Sequence, residues 1–520
     1  MNEEVFIGRL PSGAEGKTLR ECEDALDGVP ELERLSERVW RYESGGREMK
    51  IELIPEGSAS GKARVEQQAS PEPNSFFGAL HTEVSEDALR VREAGWAYMQ
   101  LRLKLAGLLG LELQDARTGE RYRPADPADV EPLPALSAAV GKGTVPAKLL
   151  SGTHAVGTEH YRPKAKMIAK DQPRSSYSAL VALGDGRVLH GYKGGPYVSD
   201  VPGIQLREGD ALDCREELTG TGRAIVPRAD GEAILTDGPL SQGRRAHAVV
   251  CGLSPLGLRG EPPLPLSPPF VWVPDTEAFL AAVPRKNTSE RDFPHSPPSA
   301  EVGGERLLIS DEAVDGHPWL RGALDPSRYL LVEADLRSRS WRPAIGREEY
   351  AEIFGSYEGS AIEELAQSPD GRRLYVSDGY QKVACFDRAE SAFVWSANLG
   401  ESARVYDLAL SPCGKYLAAV GLADDDGRAE SLSLLHADRG DFVYRLPTYG
   451  TFRSFAYTAS WHPNGRYLAV GLANGTVIEI GLDGEARHFA GLKGGITAIC
   501  FQQERMLVTG AEKAVRAWSL

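Results

Sequence analysis

The segment that decides the fold of this chain is residues 365–374, which read LAQSPDGRRL. An apolar strand pattern enters a Pro-Asp-Gly turn, where proline presets φ and glycine supplies the positive φ of a tight hairpin. The chain then returns as a second apolar strand at 374–376 and, after a Ser-Asp-Gly turn, as a third at 383–387. The segment therefore predicts three consecutive antiparallel strands joined by short turns.

The same pattern occurs twice more downstream. Residues 408–417 read LALSPCGKYL and residues 458–468 read TASWHPNGRYL, so that Pro369, Pro412 and Pro463 follow one another at 43 and 51 residues. A fourth copy at 499–507 has lost its proline and glycine. A repeat of about 40 to 50 residues is typical of four-stranded units that stack their faces on one another around a ring. We expect Gly371, Gly414 and Gly465 to have positive φ, and Gly465→Val to cost about 1–3 kcal/mol.

These residues resemble the WD-repeat family, whose commonest signature is the apolar-Ser-Pro-Asp-Gly-Arg-x-Leu hairpin. The resemblance covers residues 360–520, is weaker from about 145, and includes the closing stretch 515–519, which is similar to a degenerate blade-ending strand. The Gly-His and Trp-Asp dipeptides of the family are missing. The resemblance implies a WD-repeat-like β-propeller, and the length from 145 to 520 suits seven blades, with eight short ones as the alternative.

Weaker strand pairs are expected upstream. The stretch 177–191 has a strand, an Asp-Gly turn and a return strand. We further pair 224–226 with 233–235, 246–251 with 270–273, and 307–309 with 329–332. Because the chain stops after the third strand of the last blade, an open edge would remain, and we expect residues 147–157 to fill it by pairing with the strand around 514–518.

The first 125 residues predict an α+β domain. Thr18 and Glu21 fit a capping box for a helix over 18–40, and strands are expected at 50–54 and 75–84. Ser85 caps a second helix over 86–109, and a strand at 111–114 closes the domain. Residues 126–146, rich in Pro and Ala, are the predicted linker, and 147–520 the propeller.

Composition excludes several classes of function. The 520 residues are 42% hydrophobic and 26% charged and carry a net charge of -15. The chain has no apolar run of 18 residues, and its acidic start precedes no apolar stretch, which predicts a cytoplasmic protein without a membrane segment. An acidic chain is a poor binder of phosphate backbones, so we expect no nucleic-acid partner. The six cysteines occur singly, and we expect them to be reduced and structural.

Three apparent chemical sites have simpler interpretations. Residues 12–18 end in Gly-Lys-Thr like a phosphate-binding loop, but Pro11 replaces the required glycine, so Lys17 is interpreted as part of a helix-cap turn. The acidic run 424–427 is interpreted as a solvated hairpin tip rather than a calcium site. His190, His436 and His462 lie near strand ends or turns without metal-ligand spacing. We therefore assign no catalytic, cofactor-binding or metal-binding residue and expect no cofactor.

The sequence favours a non-enzymatic scaffold that binds a protein or peptide partner through the propeller rim and the N-terminal domain. Two alternatives remain. One is an immunity or sensor protein whose acidic N-terminal domain masks a basic surface on a toxin or effector. The other is a propeller hydrolase with a metal site in its central channel. Fold alone does not decide between them.

Overall fold

The computed structural model describes residues 5–9, 19–37, 39–44, 47–56, 62–69, 101–115, 119–130, 149–150, 166–167, 178–183, 185–192, 203–208, 213–219, 221–227, 232–237, 247–253, 256–258, 267–274, 276, 278–282, 299–302, 305–308, 329–338, 340–355, 362–400, 403–422, 432–446, 454–490, 495–502, 505–510 and 515–519. The fold of these residues is mostly β.

The described part of the N-terminal region contains two helices and seven strands. In chain order they are β1 Val5–Arg9, α1 Leu19–Asp27, β2 Glu33–Ser36, β3 Val39–Ser44, β4 Arg47–Glu56, β5 Lys62–Ala69, helix α2 at 101–109, β6 Glu112–Asp115 and β7 Arg121–Tyr122. The strands form one sheet in the order β2-β3-β4-β5-β1-β6-β7. Leu26 of α1 and Leu105 of α2 share a buried core with Trp40 and Ile51, so both helices pack against this sheet.

The predicted helix over 18–40 is wrong beyond residue 27. Gly28 and Pro30 follow α1, and the Gly28 amide donates to the Asp24 carbonyl at 3.2 Å, which closes the last turn. Residues predicted as helix instead form β2 and β3, and Trp40 lies fully buried with its Nε1 donating to Asp27 at 2.8 Å. The predicted strand at 50–54 lies within β4, and residues 101–109 of the second predicted helix are helical. The predicted strand at 75–84 and helix residues 86–100 lie outside the described residues.

The described residues after 130 form short strands and one helix. In chain order they are β8 Leu149–Leu150, β9 Lys166–Met167, β10 Ser178–Ala182, β11 Val188–Tyr192, β12 Gly203–Glu208, β13 Asp213–Thr219, β14 Thr221–Pro227, β15 Glu232–Asp237, β16 His247–Leu253, β17 Leu256–Leu258, β18 Ser267–Trp272, β19 Ala278–Ala282, β20 Ser299–Val302, β21 Glu305–Leu308, β22 Tyr329–Asp335, β23 Ser340–Gly346, α3 Arg347–Phe354, β24 Glu364–Gln367, β25 Arg373–Ser377, β26 Lys382–Asp387, β27 Ala392–Asn398, β28 Arg404–Leu410, β29 Tyr416–Leu422, β30 Leu432–His436, β31 Phe442–Leu446, β32 Ala456–Trp461, β33 Tyr467–Leu472, β34 Thr476–Gly481, β35 Ala486–Ala490, β36 Ile496–Gln502, β37 Arg505–Gly510 and β38 Val515–Ser519.

These strands form antiparallel sheets arranged as the blades of a β-propeller. Among the described strands, the sheets contain the consecutive sets β10-β11-β12-β13, β14-β15-β16-β17, β18-β19-β22-β23, β24-β25-β26-β27, β28-β29-β30-β31, β32-β33-β34-β35 and β36-β37-β38. The first strand of each blade contacts the first strand of the next, and β36 contacts β10. The first strands therefore surround a central axis, and each blade is named below by its first strand. We call the end of the ring where the first strands begin the entry face, and the end with the Pro-x-Gly hairpins the hairpin face.

The three repeated hairpins form as predicted. Strands β24, β28 and β32 each pair with the next strand, and the φ values of Gly371, Gly414 and Gly465 are 70°, 72° and 74°. The hydroxyl of Ser368 accepts from the Arg373 amide at 2.8 Å, so the serine of the motif fixes the turn from inside.

Two of the upstream pairings are wrong. Strand β16 pairs with β15 and with the short strand β17, and not with β18. Strand β21 pairs with β20, while β22 pairs with β19 and β23. Strands that follow one another in the chain through short turns usually pair with each other. The short strand β17 lies between β16 and β18 in the chain and pairs with β16, so β16 does not pair with the longer apolar stretch that forms β18. The pairing of 224–226 with 233–235 is confirmed.

Ring closure uses a different segment from the one predicted. Leu149 and Leu150 pair with Arg487 and Ala486 on the outer edge of the β32 blade. Strand β9 pairs with Arg516 and Ala517 of β38 and supplies the fourth strand of the β36 blade. A segment that precedes the first blade thus completes the last one, but the pairing residues are 166–167 and not 147–157.

The N-terminal sheet continues into the β28 blade. Strand β7 pairs in parallel with β31 through Tyr122 and Phe442, whose ring centroids are 5.6 Å apart. Arg445 Nη1 lies 3.0 Å from both carboxylate oxygens of Glu120. The buried side chains of the N-terminal region that join the core of this blade are Leu103, Ala106, Leu113, Tyr122 and Ala125.

Within the described residues, no helix is long and apolar enough to cross a membrane. Five of the six cysteines form no disulfide bond within the part of the chain that the structure describes; they are Cys22, Cys251, Cys385, Cys413 and Cys500.

Candidate interaction site at the entry face

A polar side chain occupies the same register position on three neighbouring first strands. Glu364 lies opposite Ser377, Asp407 opposite Val420, and Thr458 opposite Gly471. Glu364, Asp407 and Thr458 follow one another at the same 43 and 51 residues as the hairpin prolines. The repeat therefore places one polar group of each of these three blades beside the central axis.

Asp407 links two of these blades. Its Oδ2 accepts from Thr458 Oγ1 at 3.0 Å and from the Ala459 amide at 2.9 Å, both on β32. Burial raises the pKa of Asp407 despite these donors. The pKa of Glu364 lies well above its ordinary value because the carboxyl is removed from water and because Asp407 and Glu363 place negative charge nearby. A cation brought to this position would favour the ionised form of Glu364.

Two tyrosines project at the entry face through β-bulges. The register of β28 jumps from Val405 to Asp407, and that of β32 from Ala456 to Thr458, so Tyr406 and Tyr457 are the extra residues. A bulge re-aims the side chain it contains. Tyr406 is 36% and Tyr457 39% exposed, and their rings meet edge to face with centroids 5.5 Å apart.

A third tyrosine lies in the turn between β25 and β26. Tyr380 is 54% exposed, and the guanidinium of Arg404 lies 5.6 Å from its ring centroid. The Val405 amide donates to the Gly379 carbonyl at 3.1 Å, which ties this turn to the start of β28. A Cβ added at Gly379 would lie 2.9 Å from Glu363 Cγ, so Glu363 borders the same turn. We call the set Glu363, Glu364, Tyr380, Arg404, Tyr406, Asp407 and Tyr457 the mouth patch.

The histidines weighed in the sequence serve the fold. His190 is fully buried in β11, His436 Nε2 contacts the Arg123 carbonyl oxygen at 3.0 Å, and His462 stacks on Tyr467 with centroids 4.2 Å apart. No group of three or more His, Cys, Asp or Glu side chains suited to a metal ion occurs among the described residues. Lys17 with residues 12–18, and the acidic run 424–427, lie outside the residues that the structure describes.

Sequence reasoning missed the mouth patch, although a signal was present. Tyr406 and Tyr457 each stand directly before the polar repeat position, in the stretches Tyr-Asp-Leu-Ala and Tyr-Thr-Ala-Ser. An aromatic residue at the same place in two repeats, outside the apolar alternation of the strand, indicates a shared surface role. Tyr380 carries no such repeat signal, because only the fold brings its turn beside β28.

Comparison with known proteins gives structural matches alone. No family model matches the chain, and no curated protein matches it. The β-propeller domain of Cps50 (Swd1) from Myceliophteria thermophila is 12% identical, with a TM-score of 0.45, and the match covers 68% of this chain and 99% of that one. The computationally designed Ika8 protein is 11% identical, with a TM-score of 0.43, and the match covers 68% of this chain and 100% of that one.

Proposed function

We propose that this protein is a non-enzymatic interaction scaffold whose mouth patch binds a protein or peptide partner. The ring in this proposal is a WD-repeat-like propeller of seven blades that carries an α+β N-terminal domain on its β28 blade. Support for the blade count comes from the order of contacts between the first strands, which runs from β10 through β36 and back to β10. The N-terminal domain offers a second surface, on which Leu35 and Leu108 are exposed.

The observation that carries the proposal is the exposure of three tyrosines around one polar site. Tyr380, Tyr406 and Tyr457 are among the most exposed large apolar side chains that the structure describes. Tyrosine supplies contact area at low cost in side-chain entropy, and aromatic residues are enriched where partners bind. Because a strand bulge positions each of Tyr406 and Tyr457, their exposure is built into the backbone.

The charges of the mouth patch favour a partner that presents lysine or arginine. Its acidic side chains are Glu363, Glu364 and Asp407, and its one basic side chain is Arg404. The ring of Tyr380 already accepts that guanidinium, as aromatic faces attract cations. A cationic side chain placed between the tyrosines would meet both π-faces and carboxyl groups.

A comparative capture experiment tests the proposal. The full-length wild type, the double variant Tyr406→Ala/Tyr457→Ala and the control Val394→Ala are each used as bait in native lysate, with quantitative mass spectrometry. Val394 is 42% exposed on the outer strand β27, so its loss removes a comparable apolar contact away from the patch. We expect proteins bound by the wild type and the control to fall at least tenfold with the double variant, since losing two anchor residues costs about 2 kcal/mol or more.

The same bound proteins at equal levels on all three baits would contradict the proposal. Equal melting temperatures establish that the variants are folded. Tyr380→Ala serves as a further variant on a different element, and it should reduce capture of the same proteins.

A further inference from the structure

A cavity of about 440 Å³ lies at the hairpin face between the β18 and β24 blades. It lies at the opposite end of β24 from Glu364, because it is lined by the hairpin residues Asp370 to Arg372 and by the end of β26. Three guanidinium groups line it, from Arg342, Arg372 and Arg388, together with the apolar side chains of Pro343 and Phe386.

In two ion pairs of this cavity, the carboxylate is buried and the guanidinium is exposed. The side chain of Glu333 is 9% exposed, whereas that of Arg342, whose Nη2 lies 2.7 Å from Glu333 Oε1, is 68% exposed. Asp387 is 2% exposed, whereas Arg372, whose Nε lies 2.8 Å from Asp387 Oδ2, is 52% exposed. The carboxylates of Glu333 and Asp387 are thus buried beneath guanidiniums that reach solvent, in a protein with a net charge of -15. The exposed Asp370 also lines the cavity, and its carboxylate accepts from the Arg372 amide at 3.0 Å within the hairpin turn. The exposed Glu390 Oε1 lies 3.5 Å from Arg372 Nη2.

The buried carboxylates hold the guanidiniums in place. Arg388 binds the second oxygen of Glu333, so that Arg342 and Arg388 share one carboxylate and lie side by side. Arg388 Nη1 also donates to the Gly371 carbonyl at 2.8 Å, next to Arg372. Asp387 accepts from the Ala389 amide at 2.9 Å, which fixes the carboxylate that orients Arg372. Guanidiniums already fixed in position lose less entropy when an anion binds.

We propose that this cavity, which we call the arginine pocket, binds a phosphate monoester. Guanidinium groups pair with phosphate oxygens through parallel N–H donors, and each arginine carries five such donors. The described contacts of Arg342 use only Nη2, and those of Arg372 use Nε and Nη2. A dianionic phosphate offers three acceptor oxygens to the three guanidiniums, while Phe386 and Pro343 can contact the carbon side of the ester. The cavity has the size of a small-ligand site.

The phosphate monoester can belong to a small molecule or to a phosphorylated side chain, and the test separates the two. Calorimetric titrations of the full chain use O-phosphoserine, a phosphoserine heptapeptide with uncharged flanking residues, and the same peptide unphosphorylated. We expect saturable binding of the phosphorylated probes and none of the unphosphorylated peptide. Tighter binding of the heptapeptide assigns the site to phosphorylated chains, and tighter binding of O-phosphoserine assigns it to small phosphate esters.

Variants establish where binding occurs. Arg342→Ala/Arg372→Ala should weaken binding at least tenfold, and Arg342→Lys, which keeps the charge but loses the planar fork, should weaken it several-fold. The control Arg439→Ala removes an exposed arginine near Asp438 and Asp441 on the same face and should leave binding within twofold. Absence of saturable binding by the wild type, or binding by the folded double variant equal to that of the wild type, would overturn the proposal. If the double variant does not fold, the comparison of Arg342→Lys with Arg439→Ala decides, because equal affinities for the two would also overturn it.

Discussion

Gly371 and Gly465 occupy the same hairpin position with almost the same backbone, yet their surroundings differ. Their φ values are 70° and 74°. A Cβ added at Gly465 would meet its nearest atoms at 3.7 Å, whereas one added at Gly371 would lie 2.8 Å from Pro274 Cδ of the neighbouring blade. The Pro-x-Gly motif was enough to predict the positive φ of both residues. The contact with Pro274 could not be predicted, because it depends on how two blades approach one another.

We therefore expect the two substitutions by alanine to differ in cost. Gly465→Ala should lower the free energy of unfolding by about 1–2 kcal/mol, the cost of a left-handed backbone for an L-residue. Gly371→Ala should cost more, because Pro274 must also move. Urea unfolding of both variants measures the difference. Equal losses of stability would show that Pro274 can move away from residue 371 at no cost in free energy.

Glu364 gives a prediction about pH. Its pKa in the folded protein is raised well above 4.5, first by burial and then by the charges of Asp407 and Glu363. Above the unfolded pKa the native state binds more protons than the unfolded state, so this group lowers stability as pH rises through the folded pKa. Glu364→Gln should therefore be more stable than the wild type at pH 8, with the difference shrinking towards pH 4. Urea unfolding across this range measures it, and Glu352→Gln, which removes an exposed carboxylate on α3, is the control. A difference that does not change with pH would exclude the mechanism.

At the scale of elements, strands were predicted best where each was bounded by a turn signal. The hairpins at Pro369, Pro412 and Pro463 follow from proline and glycine at fixed spacing. The predicted strand pairs were wrong where a short strand such as β17 lies between two longer apolar stretches. An apolar pattern indicates that a strand is buried but does not indicate which strand it pairs with. The bulges that carry Tyr406 and Tyr457 were also beyond the sequence, because a bulge is a property of two strands together.

The joint between the first and last blades contains a buried histidine. Leu180 and Val188 of the β10 blade pack with Ala498 and Cys500 of the β36 blade. His190, two residues after Val188 on β11, is fully buried, and its pKa is lowered to about 3 by burial and then by the charge of Arg207.

This histidine should make the joint sensitive to acid. Below about pH 6.5, His190 binds a proton in the unfolded chain but not in the native state. The free energy of unfolding therefore falls by up to ~1.4 kcal/mol per pH unit because of this group. His190→Gln should therefore show a smaller loss of stability between pH 7 and pH 4.5 than the wild type. Urea unfolding at intervals of half a pH unit measures the two slopes. Parallel slopes would mean that His190 has the same pKa in the folded and unfolded states, which would contradict the prediction.

At the scale of the whole molecule, the N-terminal region and the β28 blade share one hydrophobic core. The domain limits 1–125, 126–146 and 147–520 stay predictions, but Leu103 and Tyr122 pack with the blade, and Asp129 binds Lys415 and Tyr416 at 2.8 Å. From sequence we would expect a chain without residues 1–125 to keep its ring folded. Strand patterns gave no sign of this junction, because a surface that packs on another domain has the same periodicity as one that faces an internal core.

The shared core leads to the opposite expectation for that deletion. Removing residues 1–125 should expose the outer face of the β28 blade and uncover β31, because burying a large apolar side chain contributes about 1.5–3 kcal/mol. Hydrogen exchange should then accelerate in residues 432–446 and remain slow in 467–480, which belong to the next blade. If the protection of residues 432–446 is the same before and after the deletion, the β28 blade does not depend on the N-terminal region for its stability.

The pairing of β9 with β38 has a consequence for biosynthesis. The ribosome makes β38 about 350 residues after β9, which at 5–20 residues per second is an interval of roughly 20–70 s. Throughout that interval β10 also lacks its neighbour β36, so the side of the first blade stays open to other nascent chains and to chaperones. The ring cannot close before the ribosome has made β38, so its final folding step follows the synthesis of that strand.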